Sequence, residues 1–173
     1  MFTKTDIEKY FIAEKQESLL FVILGIAAVV IALVGIFYWK TQFWKGASIP
    51  LILIAVIQII VGYTVYAGSD KQRIDMVYAF DMDPSKLQNE EAPRMEVVNK
   101  NFVTYRWIES ILFVAGIALA LVYRTNPDKN LIVGIGVALA IEAAVMFGAD
   151  FIAEKRANNY IIGLKAFLQK QEV

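Results

Sequence analysis

Residues 19–37 read LLFVILGIAAVVIALVGIF, an apolar stretch without a single polar side chain. Three further apolar stretches follow it along the chain: Ile49–Ala67, Trp107–Tyr123 and Leu131–Phe151. The hydrocarbon core of a bilayer is about 30 Å thick, and a helix needs about 20 apolar residues to cross it. Inside lipid the backbone must satisfy its own hydrogen bonds, so each stretch is predicted to be a helix. The predicted fold is an all-α, polytopic integral membrane protein with a bundle of four transmembrane helices.

The composition supports this class of protein and excludes several others. Of the 173 residues, 58% are hydrophobic and 20% are charged, and the formal net charge is zero. Soluble domains average about 45–50% apolar residues, and a chain without net charge has no global field that attracts nucleic acid. Cysteine and histidine are absent, which removes the usual ligands of metal sites and the usual general base. We therefore predict a protein that is not an enzyme, holds no cofactor or metal, and binds no nucleic acid.

Basic residues are distributed unequally between the two sides of the predicted membrane. Thirteen Lys and Arg residues precede the first stretch, follow the fourth, or lie between the second and third, whereas four lie in the other two connections. Because basic residues are retained on the cytoplasmic side, both termini are predicted to be cytoplasmic in a multi-pass protein of a bacterial plasma (inner) membrane. The four basic residues on the opposite side are Lys40, Lys45, Arg124 and Lys129.

The helices are predicted to extend past the bilayer on the cytoplasmic side. Thr5 and Glu8 have the T-x-x-E spacing of a capping box. A weak point is expected at Gly68, and breaks are expected around Asp83–Pro84 and Ala92–Pro93. Pro93 is expected in the first turn of a helix that continues into the third apolar stretch. The predicted segments are a cytoplasmic amphipathic helix (1–17), a first transmembrane hairpin (18–67), a cytoplasmic helical connection (68–106), a second transmembrane hairpin (107–151) and a cytoplasmic helical tail (152–173).

The two hairpins resemble each other in sequence. The stretch ESLLFV at Glu17–Val22 aligns with ESILFV at Glu109–Val114, and a second alignment places Gln58 over Glu142. This similarity indicates an internal repeat, with both hairpins inserted the same way and related by a pseudo-twofold axis along the membrane normal. The alternative is chance similarity between helices rich in Leu, Phe and Val.

Glu142 is the most informative polar residue of the apolar stretches, because it lies near the middle of the fourth. An ionised side chain at that depth costs about 2.5 to 3.5 kcal/mol in insertion experiments. We therefore expect Glu142 to face the bundle interior and to pair with Gln58, which lies at a similar depth. The pair is either a proton- or cation-binding site or an interhelical hydrogen bond that fixes packing, worth about 0.6–2 kcal/mol.

A second polar layer is predicted near the cytoplasmic interface. It consists of Glu17, Glu109 and Asp150. Arg106, Lys15 or Lys155 are the basic residues expected to neutralise it. The pattern of a di-iron bundle requires histidine, so we expect no metal at these carboxylates.

Small residues recur every four positions on the fourth stretch, at Gly136, Ala140, Ala144 and Gly148. A stripe of this kind lets another helix approach closely. If Glu142 faces the interior, the stripe faces outward as a docking face for a second membrane protein or a second copy of this chain. The alternative is a rotated helix whose stripe packs inside its own bundle.

Two functions follow from these features. The first is a non-catalytic membrane interaction protein: an accessory or assembly subunit, or an immunity factor against a membrane-acting toxin. Its expected partners are the lipid bilayer and another membrane protein or a second copy. The second is a small proton- or ion-coupled transporter or channel that uses Glu142 and Gln58 as its midplane site.

Overall fold

The computed structural model describes residues 2–171, and within this range every regular element is helical. Four of the helices are long and apolar enough to cross a membrane, which confirms the all-α class and the four long apolar helices. Residues 172 and 173 of the predicted tail lie outside the described residues.

The described chain forms five α-helices: α1 (Lys4–Val34), α2 (Gln42–Met82), α3 (Pro84–Lys86), α4 (Ala92–Tyr123) and α5 (Asn130–Gln171). Two π-helical turns lie at Gly35–Trp39 and Leu87–Glu91, and a 3₁₀ turn lies at Pro127–Lys129.

The first helix begins earlier than the sequence suggested. Asp6 Oδ2 accepts hydrogen bonds from the Thr3 backbone nitrogen at 2.8 Å and from Thr3 Oγ1 at 2.7 Å. The prediction of a capping box at Thr5 and Glu8 is therefore wrong, because Thr5 already lies inside α1. Thr3 and Asp6 have the same three-residue spacing, and a carboxylate in the first turn also interacts favourably with the helix dipole.

The connection between α2 and α4 is almost entirely helical. The α2 helix continues through Gly68 to Met82, and the one break in the connection is at Asp83, with φ −150° and ψ 72°. The expected second break at Ala92–Pro93 is wrong. The Ala92 N–H bonds to the Leu87 carbonyl five residues earlier, so the chain stays helical there. The predicted position of Pro93 in the first turn of α4 is confirmed, and its missing N–H costs little in that turn.

The long helices are arranged as a row. The α1 helix packs along α2, α2 along α5, and α5 along α4, while α1 touches α5 only slightly. The order α1–α2–α5–α4 places each sequence hairpin on one side and joins the two hairpins through α2 and α5. Among the long helices, α4 packs extensively only against α5. The side of α4 that faces away from α5 is therefore an open edge of the bundle.

Glycines stand where the helices cross most closely. A Cβ atom on Gly46 would overlap the Leu131 carbonyl, and one on Gly134 would overlap the Phe43 carbonyl. A Cβ on Gly116 would lie 2.7 Å from the Gly136 carbonyl oxygen. These glycines let the α2–α5 and α4–α5 backbones approach to a distance that a side chain would prevent.

The largest core lies at the end of the bundle that carries both termini and the α2–α4 connection, which we call the terminal end. Ile7, Phe11, Leu87, Met95 and Leu164 are at most 1% exposed there. At the opposite end, the hairpin end, the buried core consists mostly of alanines from α1, α2 and α5. The side chains of α1, α4, α5 and the connection thus converge at the terminal end, beyond the apolar stretches.

Candidate functional site

Gln58 on α2 and Glu142 on α5 meet at the interface between the two hairpins. The Gln58 Nε2 atom donates a hydrogen bond to Glu142 Oε2 at 3.2 Å. Gln58 is 2% exposed and Glu142 is 8% exposed. Both residues therefore face the interior of the row, and the role of the pair, in binding or in packing, stays a prediction.

The amide oxygen of Gln58 is buried and has no donor. A buried acceptor without a donor costs about 1–3 kcal/mol. An ionised Glu142 offers only acceptors, whereas a neutral carboxylic acid offers one O–H donor. The arrangement is thus chemically able to hold one proton, between the Glu142 carboxyl and the unpartnered Gln58 oxygen.

The predicted inner polar layer is present at the α4–α5 interface. Glu109 on α4 is 4% exposed and neither of its carboxyl oxygens has a hydrogen-bond donor. The carboxyl of Asp150 on α5 faces Glu109, and Glu17 on α1 lies close enough to interact with Asp150. Because two carboxylates can only accept, Glu109 and Asp150 can form a hydrogen bond with each other only if one of them holds a proton.

The basic residues around this layer differ from those expected. Arg156 pairs with Glu17, and Lys15 pairs with Asp70 on α2 instead of joining the layer. The expectation that Lys15 or Lys155 neutralises the layer is therefore wrong. Lys155 is exposed, because it precedes Arg156 by one residue and so points about 100° away around α5. Arg106 pairs with Glu154, with 3.1 Å between Nη1 and Oε2.

A buried polar network at the terminal end was missed by the sequence analysis. Glu91 is 2% exposed and accepts hydrogen bonds from Arg94 Nε at 2.7 Å and Nη2 at 2.8 Å. The Tyr10 hydroxyl donates to Glu14 Oε1 at 3.0 Å, and the Tyr10 ring stacks on Tyr160 with centroids 4.2 Å apart. The spacing of Glu91 and Arg94 on one helical turn was a usable signal, but the break predicted at Ala92–Pro93 separated the two residues.

Burial changes the proton affinity of these groups. It raises the pKa of the Tyr10 and Tyr160 hydroxyls above the ordinary range for tyrosine. It also raises the pKa of the Glu14 carboxyl, although Arg94 and the hydrogen bond from Tyr10 act in the opposite direction. The network therefore contains one carboxylate whose ionised form is disfavoured by folding.

The four small residues of the predicted docking face lie in two different environments. Gly136 and Ala140 pack against Gly116 of α4 in the same chain, as the alternative of internal packing supposed. Ala144 is exposed, and nothing lies within 4 Å of a Cβ built on Gly148. The outward face predicted for all four positions is thus wrong for Gly136 and Ala140, because α4 crosses α5 there, and docking at Ala144 and Gly148 stays a prediction.

Within residues 2–171, the Asp and Glu side chains form no group of three or more that could hold a metal ion. No protein-family model, curated protein or solved structure matches this chain. A functional proposal therefore depends on the geometry of the chain itself.

Proposed function

We propose that the chain is a non-catalytic integral membrane protein that binds a second membrane protein or another copy of itself. It acts as an accessory or assembly subunit, or as an immunity factor against a membrane-acting toxin. Four helices long and apolar enough to cross a membrane support the location. The basic residues concentrated at the terminal end support cytoplasmic termini in a plasma (inner) membrane.

The observation that carries this proposal is the open edge of the row at α4. Only 11% of the most apolar stretch of α4 is buried, against 22% for α1 at the other end of the row and 33% for the inner helices α2 and α5. Membrane helices associate through close packing and interhelical hydrogen bonds, and the chain supplies α4 with such a neighbour on one flank. A helix of a partner protein is expected to pack on the other.

The buried polar groups of α2 and α5 support the same function. Gln58 and Glu142 bond to each other across the central interface, with little exposed surface. Such a contact holds the two hairpins together and leaves the outer flanks of the row for partners.

Cysteine crosslinking in native membranes tests the proposal, and the chain has no cysteine of its own. Val114→Cys on α4 and Ala144→Cys on α5 are expected to give intermolecular products. Leu53→Cys on α2 is the matched control, since Leu53 is 63% exposed and Val114 is 64% exposed. Equal yields at all three positions, or no product at either test position, would contradict the proposal.

The orientation is tested by labelling intact cells with a membrane-impermeant maleimide. A cysteine at Thr125, in the α4–α5 connection, is expected to react from outside the cell. A cysteine at Asn89, in the α2–α4 connection, is expected to react only after the cells are opened; both residues are exposed. The reverse pattern would contradict cytoplasmic termini.

The second candidate, a small proton- or ion-coupled transporter, is favoured by the unpartnered Gln58 oxygen beside Glu142. Liposomes with a pH gradient test it by comparing the chain with Glu142→Gln. Flux that disappears in a folded Glu142→Gln variant would favour transport, whereas absence of flux in both would favour the interaction protein.

A further inference from the structure

A pocket of about 220 Å³ lies between α4 and α5 on the surface of the terminal end. Its lining combines charged and amide groups with one aromatic ring. The residues that line it are Arg106, Phe151, Glu154, Lys155, Asn158 and Asn159.

The pocket lies at the boundary between apolar and polar surface. Arg106 directly precedes the apolar stretch that begins at Trp107, and Phe151 ends the apolar stretch of α5. Trp107 is 67% exposed and Phe151 is 57% exposed. Tryptophan and other aromatic side chains are enriched at the headgroup level of membranes. The ends of the apolar stretches and the exposed aromatic rings therefore indicate that the pocket lies where lipid headgroups meet water.

The charges of the pocket favour an anion. Arg106 and Lys155 contribute two positive charges and Glu154 contributes one negative charge. The Arg106 Nη1 atom lies 3.1 Å from Glu154 Oε2, and the Arg106 side chain is 40% exposed. The exposed part of the guanidinium group is thus available to a phosphate. Lys155 is exposed and forms no ion pair with any residue of the range 2–171.

We propose that this pocket binds the phosphate group of an anionic phospholipid in the leaflet at the terminal end. Basic pockets between membrane helices on the cytoplasmic side bind anionic headgroups, and the amides of Asn158 and Asn159 add neutral donors. The acyl chains then lie against the exposed apolar flank formed by Phe151 and Trp107. This inference rests on the membrane location in the proposed function, although not on the partner proposed there.

The experiment titrates the full-length chain in detergent with phosphatidylglycerol, phosphatidylcholine or inorganic phosphate, and counts bound ligands by native mass spectrometry. Phosphatidylglycerol is expected to bind most tightly. Lys155→Gln is expected to weaken it about fivefold, the effect of one basic residue near a membrane surface. Lys45→Gln is the matched control, because Lys45 is an exposed lysine at the hairpin end, and it is expected to bind like the unchanged chain.

A second variant tests the role of Glu154 in the opposite direction. Glu154→Gln removes the negative charge of the pocket and releases the Arg106 guanidinium, so it is expected to bind phosphatidylglycerol more tightly than the unchanged chain. Because one variant weakens binding and the other strengthens it, loss of folding cannot produce both results.

Three results would overturn the proposal: equal affinity for phosphatidylglycerol and phosphatidylcholine, unchanged binding in both pocket variants, or inorganic phosphate that binds as tightly as the lipid. The last would assign the pocket to free phosphate. Membrane location is measured separately by flotation of the chain with membranes after alkaline washing. A chain that fails this flotation test refutes the proposed function, whereas a chain that floats but lacks lipid selectivity refutes only the lipid site.

Discussion

Glu14 on α1 is surrounded by groups that carry or donate protons. Ser69 on α2 donates to Glu14 Oε2 at 3.4 Å, while Tyr10 donates to Oε1. Burial raises the pKa of the Glu14 carboxyl, so the folded chain takes up this proton at a higher pH than the unfolded chain does. The other charged groups that face it are Glu91 from the π-helical turn before α4, Arg94 from the first turn of α4, and Arg156 from α5.

This arrangement predicts how stability depends on pH. The stabilisation linked to this proton is complete below the ordinary carboxyl value of 4.5 and is lost as the pH rises through the raised value. Glu14→Gln cannot ionise and keeps an oxygen that accepts from Tyr10. We therefore expect it to unfold at a higher temperature than the unchanged chain at neutral pH, with the difference disappearing towards pH 4.5. Thermal unfolding in detergent across this range is the measurement.

Glu90→Gln is the control for Glu14→Gln, because Glu90 is exposed. It should leave the pH dependence of unfolding unchanged. A Glu14→Gln variant that is less stable than the unchanged chain at neutral pH would show that the electrostatic attraction of Arg94 and Arg156 outweighs burial.

At the residue scale, the sequence predicted which polar residues lie together when both stand at the same depth in the predicted bilayer. Gln58 and Glu142 were predicted to lie together because both stand near the middle of apolar stretches, and they are hydrogen-bonded in the structure. The network of Tyr10, Glu14 and Arg94 lies outside those stretches, where depth carries no information. Its members come from separate segments, and only the packing of the terminal end brings them together.

At the scale of elements, the closest contact between α2 and α5 depends on Gly46 and Gly134. Gly46→Ala is expected to lower the free energy of unfolding by about 1–3 kcal/mol, because the added methyl would overlap the Leu131 carbonyl and force the helices apart. Gly148→Ala on α5 is the matched control. No atom lies within 4 Å of its added methyl, and alanine favours the helix over glycine by up to about 1 kcal/mol.

Unfolding by SDS in mixed micelles measures both glycine variants. A Gly46→Ala variant as stable as Gly148→Ala would mean that α2 and α5 do not cross closely at this point.

The apolar parts of the helices were predictable, and their ends were less so. Apolar length alone identified α1, α2, α4 and α5. The start of α1 was misplaced because two candidate caps lie two residues apart, and only the hydrogen bonds of Asp6 distinguish them. Pro93 was correctly predicted in the first turn of a helix. The break predicted before it is absent, because the π-helical turn Leu87–Glu91 continues directly into α4.

At the scale of the whole molecule, the order α1–α2–α5–α4 separates the first and third apolar stretches. Packed helices lie about 8–10 Å apart. Spin labels at Ile26 on α1 and Ile117 on α4 should therefore be clearly farther apart than labels at Ile57 on α2 and Ile141 on α5. Double electron–electron resonance in nanodiscs measures both pairs. Similar distances would indicate a closed four-helix bundle instead.

This order was not predictable from the sequence. Apart from a few polar residues such as Gln58 and Glu142, the stretches are apolar on all faces, and such a pattern does not indicate which helices become neighbours. The bundle was predicted, but its open edge at α4 depends on where glycines such as Gly116 allow close approach.

The row of helices also has a consequence for biosynthesis. Most contacts join α1 to α2 and α4 to α5, which are neighbours along the chain, so each pair can assemble soon after it leaves the ribosome. The final step of folding is then the packing of the α1–α2 pair against the α4–α5 pair, with the closest approach at Gly46 and Gly134. A substitution that weakens the α2–α5 interface would leave each helix pair folded but separate in the bilayer. Each pair could then pack against the complementary pair of another molecule, which is domain swapping.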